Sequence, residues 1–184
     1  MKLIILDRDG VINHDSDNFI KSPDEWIPIA GSLEAIARLN QAGYRVVVAT
    51  NQSGIARGLF TMHTLNAIHQ KMHRMAGLVG ADIDTVFFCP HAADDHCDCR
   101  KPKPGMFLEI AKRLETNLQE NGVVTVGDSL RDLQAGAAAG CKPYLVLTGK
   151  GNKTLDKGGL PPGTKVFPDL ASVVDSLLAQ TTTA

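Results

Sequence analysis

The chain holds 184 residues, 43% of them hydrophobic and 21% charged, with a formal net charge of -1. That is chain enough for one domain with a substantial core, and too neutral to draw nucleic acid or an anionic membrane by charge alone. No apolar stretch approaches the roughly 20 residues that cross a bilayer, and Met1-Lys2 leads straight into a strand pattern, so a cytoplasmic protein is expected.

The first element is the apolar run Leu3-Ile4-Ile5-Leu6. It shows no polar alternation, which suits a strand covered on both faces in a parallel sheet. It ends in Asp7-Arg8-Asp9-Gly10, and an extended chain puts Asp7 and Asp9 on one side. Two carboxylates about 4 Å apart repel by roughly 4 kcal/mol at an effective dielectric near 20, so the pair calls for a cation. Taken alone, Asp-x-Asp-Gly reads equally well as a turn.

Next, Ser32 caps a helix through Leu33, Ile36, Ala37 and Leu39, which Gly43 stops. A strand from Tyr44 to Thr50 runs into Asn51-Gln52-Ser53-Gly54. Thr61 caps a helix carrying Met62, Leu65, Ile68 and Met72; Val86 to Cys89 is a strand; Pro104 suits the first turn of a helix with Phe107, Ile110, Ala111 and Leu114. The strand Val123 to Val126 runs into Gly127-Asp128-Ser129, followed by a helix of about Ser129 to Ala139 and a strand at Tyr144 to Leu147. Gly149 to Gly163 reads as a surface connection, about Leu170 to Leu178 as a last helix, and Gln180 to Ala184 as a frayed tail.

Strands alternating with helices predict an α/β fold, a doubly wound parallel sheet with right-handed crossovers, as a single domain over 1–184. Neither Gly10 to Ser32 nor Thr50 to Asp84 is long enough for a separate cap domain. The pocket should therefore be open, walled by the loops Asp15 to Trp26 and Cys89 to Lys101. Three strands end in hydroxyls, amides and carboxylates, a coincidence that a turn does not require and a site does.

Three of the four cysteines fall between Cys89 and Cys99, against a two-disulfide framework and for a metal in a reducing compartment; Cys141 stands alone as a small buried hydrophobe. Cys89, His91, Cys97 and Cys99 form a set that suits tetrahedral Zn²⁺, and with four protein ligands that zinc is structural. Pro90 keeps the chain extended so that Cys89 and His91 face the same way. Asp94, Asp95 and His96 are either rival ligands or a solvated loop tip. His14, His63, His69 and His73 read as surface residues.

In order, Asp7-Arg8-Asp9-Gly10-Val11-Ile12-Asn13, Thr50-Asn51-Gln52-Ser53-Gly54, Cys89-Pro90-His91, Cys97-Asp98-Cys99-Arg100-Lys101-Pro102 and Val126-Gly127-Asp128 resemble the motifs of haloacid dehalogenase-type phosphatases. The likeness runs from about Leu3 to Gly151. Within that superfamily the chain is similar to the heptose-1,7-bisphosphate 7-phosphatase family, whose nearest relative is the histidinol-phosphate phosphatase family. The resemblance implies a Rossmann-like fold and Mg²⁺-dependent removal of the C7 phosphate from D-glycero-D-manno-heptose 1,7-bisphosphate. It also implies an aspartyl-phosphate intermediate and a place in heptose precursor supply for lipopolysaccharide or related glycans.

By that resemblance Asp7 is the nucleophile, and Asp9 is the acid that protonates the leaving oxygen and then the base that activates water. Asp9 would be protonated when substrate binds. Asp7, Asp128 and the backbone carbonyl of Asp9 hold Mg²⁺, which prefers hard oxygen ligands. Thr50 binds the phosphoryl oxygens with Asn51, Gln52 and Ser53 alongside, and Lys101 spans nucleophile and phosphate. Asp15, Ser16, Asp17 and Asn18 contact the sugar, and Arg100 contributes to recognition.

The loop between His91 and Cys97 is shorter than in the family's familiar version, which leaves anomer preference open. Asp132 either reaches the metal or is an unpaired helix-surface carboxylate. Arg57 either meets an anion or is exposed, and Thr148-Gly149-Lys150-Gly151 lacks the P-loop spacing and reads as a turn. The partner expected is a small phosphosugar, with no nucleic acid and no membrane, and a monomer is the default. Histidinol phosphate is the rival substrate. A zinc-stabilised phosphosugar-binding protein without turnover is the rival class.

Overall fold

The computed structural model describes residues 1–181. Lys2–Leu6 (β1), Tyr44–Asn51 (β2), Thr85–Cys89 (β3), Val124–Gly127 (β4), Lys142–Val146 (β5) and Lys165–Phe167 (β6) pair in parallel, in the order β3-β2-β1-β4-β5-β6. The expected doubly wound sheet is present. The chain winds outward from β1 to β3 on one side and returns to lay β4 against the other side of β1. At that reversal the strand ends of an open sheet leave a crevice. The Asp7 amide donates to the Val126 carbonyl at 2.9 Å, locking the ends of β1 and β4 side by side.

The unbroken apolar run of β1 is used on both faces. Ile4 and Leu6 pack with Ile36, Ile68, Met72, Val173 and Val174, under the helices Ser32–Gln41 (α1), Met62–Leu78 (α2) and Leu170–Thr181 (α6). Leu3 and Ile5 pack with Val47, Ala49, Met106, Phe107, Ile110 and Ala135, under Gly105–Arg113 (α3) and Leu130–Ala138 (α4). Side-chain alternation along the strand divides the two layers. A short helix, Gly151–Lys157 (α5), follows β5. Between β1 and α1 the described residues form loops and one 3₁₀ turn at Pro23–Glu25, and between β2 and α2 only turns and bends, so no inserted domain covers the crevice there.

Four local expectations need correction. Ser32 does not cap α1: Gly31, at φ +83°, takes the cap position, and the Ser32 hydroxyl inside the helix donates to the Val11 carbonyl at 2.9 Å. Gly149 to Gly163 is more than a surface connection, because α5 lies within it and buries Gly151 and Thr154. The last helix runs to Thr181, past the expected end at Leu178 and into the expected tail, whose remaining residues 182–184 lie outside the described ones. His69 is buried at 8% exposure, whereas His14, His63 and His73 are exposed as expected. It sits four residues after Leu65 and three before Met72, on the apolar stripe of α2.

Candidate functional site

Asp7 directly follows β1 and Asp128 directly follows β4, so the sheet itself sets two carboxylates beside each other. Ser129 starts α4, and its amide and hydroxyl donate to Asp132 Oδ2 at 3.0 and 2.7 Å. That cap turns the other Asp132 oxygen to Lys101 Nζ at 2.7 Å. Asp132 is therefore neither exposed nor unpaired. Oxygens of Asp7, Asp128 and Asp132 lie within 4.8 Å of one another, a set able to hold a metal ion. Gly10, at φ +84°, and Gly149 make room for Asp128: a Cβ on either would collide with its carboxylate.

Lys101 is 2% exposed and gives its ammonium to Asp7 Oδ1 at 2.9 Å, to the Ala49 carbonyl at 2.7 Å and to Asp132. Burial by itself would strip its proton, but Asp132 and Asp7 more than offset that and raise its pKa. Asp132 shows the same balance from the other side: burial opposes its charge, yet Lys101 and Ser129 hold it below the ordinary carboxylate range. Asp7 and Asp128 fare differently. Burial, then the Asp132 charge, lift Asp7 to about 7 and Asp128 to about 8. These are the two carboxyls whose negative charge is not fully compensated, and a divalent cation in place of two protons would balance the site.

Asp9 departs from the expectation in its direction, and its charge without substrate is set by a neighbour that the sequence did not single out. Its carboxylate does not converge with that of Asp7; it turns to Arg8, whose Nε and Nη2 donate to Oδ1 and Oδ2 at 2.9 and 3.1 Å. Asn13 Nδ2 and Gln52 Nε2 donate to the same two oxygens at 2.8 and 3.1 Å. Burial alone would lift the Asp9 carboxyl, but the Arg8 guanidinium and these hydrogen bonds bring it below the ordinary value. Asp9 is thus held ionised here and not protonated. Arg8 has no assigned role in the sequence reading and is fully buried in the fold.

Around these groups lies a cavity of about 230 Å³. Thr50, Asn51, Gln52 and Ser53 reach it from the end of β2, Asp15, Ser16 and Asp17 from the loop after β1, and Arg100 from the cysteine loop. Asn18 does not line it; its amide and carbonyl engage Ser16 and Lys21 instead. The carboxamide of Asn51 is taken up at both ends by the backbone of Lys101, at 3.1 and 3.0 Å, and Gln52 bridges Asp9 and Thr50 Oγ1. Arg57, Arg131 and Lys150 join Arg100 on the wall. Lys150 also closes the turn after β5 on the site: its amide donates to Asp128 Oδ2 at 2.8 Å, and its ammonium pairs with Asp15 at 3.1 Å. Thr154 Oγ1 donates to the Asp128 carbonyl. Sequence reasoning gave Arg131, Lys150 and Thr154 no role, since only tertiary packing brings them there.

The second cluster is Cys89, His91, Cys97 and Cys99. Their ligand atoms stand 3.0 to 3.7 Å apart along Cys89–Cys99, His91–Cys99, Cys89–His91 and Cys89–Cys97. Zn–S bonds near 2.3 Å give tetrahedron edges of about 3.8 Å, so the set fits zinc with a small outward adjustment. Burial raises the Cys89 thiol, whereas hydrogen bonds from the Arg100 amide and the neighbouring ligands outweigh burial at Cys97 and lower it to about 7. Asp94, Asp95 and His96 are exposed, and Asp95 accepts from the Ala92 amide, as befits a loop tip.

A family model for haloacid dehalogenase-like hydrolases matches residues 5–140. D-glycero-beta-D-manno-heptose-1,7-bisphosphate 7-phosphatase of Bordetella bronchiseptica is 63% identical over 180 residues, 98% of this chain and 99% of its own. The protein of that name from Pseudomonas aeruginosa is 54% identical, over 96% of this chain and 97% of its own. The crystal structure of D,D-heptose 1,7-bisphosphate phosphatase from B. bronchiseptica, complexed with magnesium and phosphate, superposes with a TM-score of 0.96 at 63% identity, covering 98% of this chain and 99% of that one. The corresponding structure from Burkholderia thailandensis has a TM-score of 0.78 at 55% identity, covering 97% and 99%.

Proposed function

The chain belongs to the haloacid dehalogenase-like hydrolases, and on that premise we propose that it removes the C7 phosphate of D-glycero-beta-D-manno-heptose 1,7-bisphosphate. The observation that carries the reading is the junction of β1 and β4, where Asp7, Asp128, Asp132 and Lys101 meet in a cavity walled by cationic side chains. A second support is the name shared by relatives over nearly the whole chain. The beta anomer is taken from those names.

In this reading an oxygen of Asp7 attacks the phosphorus and carries the phosphoryl group as an aspartyl-phosphate, while the O7–P bond breaks. Asp9 delivers the proton to the leaving oxygen and afterwards takes one from the attacking water. Since Asp9 is held ionised without substrate, it must take that proton from the incoming phosphate monoester monoanion or from solvent as the substrate binds. Lys101 holds Asp7 in place and neutralises charge on the phosphoryl oxygens, and Thr50 donates to one of them. Mg²⁺, held by Asp7, Asp128 and the Asp9 carbonyl with Asp132 adjacent, supplies neutralisation of the phosphoryl charge when bound. Asp15, Ser16, Asp17 and Arg100 face the sugar, and Asn51 and Gln52 act chiefly by holding Lys101, Asp9 and Thr50. Structural Zn²⁺ on Cys89, His91, Cys97 and Cys99 orders the loop that bears Arg100 and Lys101. We take the enzyme as one domain acting as a monomer in the cytoplasm, a reducing compartment in which zinc-ligating thiols persist.

The test compares phosphate release from heptose 1,7-bisphosphate and histidinol phosphate, with wild type and Asp7→Asn. We expect the heptose bisphosphate to be the faster substrate, and Asp7→Asn to lose a factor of roughly 10³ or more while folding normally. Faster turnover of histidinol phosphate would reassign the substrate, and full activity of Asp7→Asn would remove Asp7 from the nucleophile role.

A further inference from the structure

Behind the cavity wall lies a buried contact that the reaction as described does not use. Arg8 is fully buried, and its guanidinium faces two ways: Nε and Nη2 grip both oxygens of Asp9, while Nη1 meets Nε2 of His69 at 3.1 Å. His69 stands on α2, a helix that contributes no residue to the cavity lining. We propose that His69 and Arg8 form a positioning pair that aims the Asp9 carboxylate for proton transfer, so that a helix outside the cavity governs the leaving-group step within it. This rests on the assignment of proton transfer to Asp9.

The geometry is specific to the two side chains. A planar fork that donates to both oxygens of a carboxylate fixes the carboxylate's plane as well as its distance, which an ammonium does not. The fork in turn needs a fixed orientation of its own. Its remaining edge is buried against His69, and a guanidinium has only donors, so the ring nitrogen it meets must accept. Burial, then the charge of Arg8, push the His69 imidazole down to about 3, so the ring is neutral, with Nε2 the acceptor and the proton on Nδ1. Asn13 and Gln52 hold the other sides of Asp9, and Asn13 is itself buried. Without an acceptor at position 69 the fork would have a buried donor to satisfy and would rotate away from Asp9.

A positioning role for the proton donor predicts a dependence on the leaving group, which general loss of structure does not. The alkoxide leaving from a sugar phosphate needs a proton in the transition state; p-nitrophenolate does not. The readout is the ratio of kcat/KM on heptose 1,7-bisphosphate to that on p-nitrophenyl phosphate, measured in one sample, so the fraction of folded enzyme cancels. We expect Asp9→Asn to lower this ratio about a hundredfold, His69→Leu about tenfold, and His69→Gln, whose carboxamide oxygen can accept from Arg8, by less than about twofold. Arg8→Lys, which keeps the charge and loses the fork, should resemble His69→Leu and serves where that variant does not accumulate. An unchanged ratio in His69→Leu and Arg8→Lys, with Asp9→Asn affected, overturns the positioning pair and leaves the role of Asp9 intact. An unchanged ratio in Asp9→Asn overturns the assignment of Asp9 and the inference with it.

Discussion

The molecule carries two clusters of metal-binding type, built in opposite ways. Asp7, Asp128 and Asp132 come from the two strand ends at the middle of the sheet and the helix that follows one of them, held by backbone pairing and by Ser129 and Lys150. Cys89, His91, Cys97 and Cys99 come from a single stretch of chain that contains no regular element after Cys89. The acidic cluster is formed by the fold and would persist without a cation, at the cost of protons bound to Asp7 and Asp128. The thiol cluster is anchored to the sheet only at Cys89, the buried end of β3, and the rest of its loop would take its shape from a bound ion. Lys101 joins the two: its chain position belongs to the cysteine loop, its ammonium to the acidic cluster, and Asn51 at the end of β2 clamps its backbone.

That joint gives the largest effect. If the zinc loop places Lys101, then Cys97→Ser, or removal of zinc by a chelator, should lower kcat/KM by about a hundredfold, since a misplacement near 1 Å at a reacting centre costs that much. The sheet should survive, because Cys89 is the only one of the four ligands inside the buried core, while Cys97 and Cys99 pack against it as half-buried side chains. Far-UV circular dichroism and metal content, read on the same samples as the rate, check this. Retention of full activity in a zinc-free, folded preparation would show that Asn51 and the contacts of the ammonium place Lys101 without the ion, and would break the comparison.

The two clusters were also unequally legible. The thiol set could be read from its spacing together with the family likeness, because its ligands are neighbours in the chain and few other roles suit three cysteines so close together. Asp7 and Asp128 were legible because each follows an apolar run that can only be an inner strand. Lys101 and Thr50 were placed only by the family likeness, and what escaped was decided by packing between distant segments. The ionised state of Asp9 without substrate was not legible, because its partner Arg8 gives no local sign of being buried. His69 did leave a sign, its place on the apolar stripe between Leu65 and Met72, and helical spacing could have found it. Thr154 and Lys150 left none: the glycines and prolines around them favoured a loop, and their contacts with Asp128 arise only once β5 lies beside β4.

The difference in charge balance gives a smaller, pH-dependent effect. Asp7 and Asp128 have folded-state pKa values of about 7 and about 8, above the ordinary 3.8 they regain on unfolding. Between those limits the folded protein binds more protons than the unfolded chain, so these groups contribute stability that is complete below about 4 and lost as pH rises through 7 and 8. Asp9 and Asp132, both lowered, act on the acid side: their contribution is present above 3.8 and is lost as pH falls below it. The metal-free Tm should therefore fall by several degrees between about pH 5 and about pH 8, and saturating Mg²⁺ should flatten the decline by replacing the protons. The thiol cluster should answer in the other sense, since zinc is held more tightly as its ligands lose protons. A metal-free Tm that rises across this range, measured with zinc retained, would contradict the raised pKa values of Asp7 and Asp128.

Lys150 offers the smallest effect and separates backbone from side chain at the acidic cluster. Its ammonium lies 3.1 Å from Asp15 and 3.9 Å from Asp17, with 41% of the side chain exposed, and exposed pairs of this kind stabilise by less than about 1 kcal/mol. Its amide, which reaches Asp128, is untouched by Lys150→Ala. The variant should keep its Tm to within about 4 °C and its kcat unchanged, while KM rises two- to threefold, roughly half a kcal/mol, as the loop bearing Asp15 and Asp17 loses its tie across the cavity mouth. Steady-state kinetics at fixed Mg²⁺ separates the two parameters. A tenfold fall in kcat with unchanged KM would mean that the ammonium, and not the sheet and the amide, holds Asp128 ready, and the acidic cluster would then depend on side-chain ties as the thiol cluster depends on its ion.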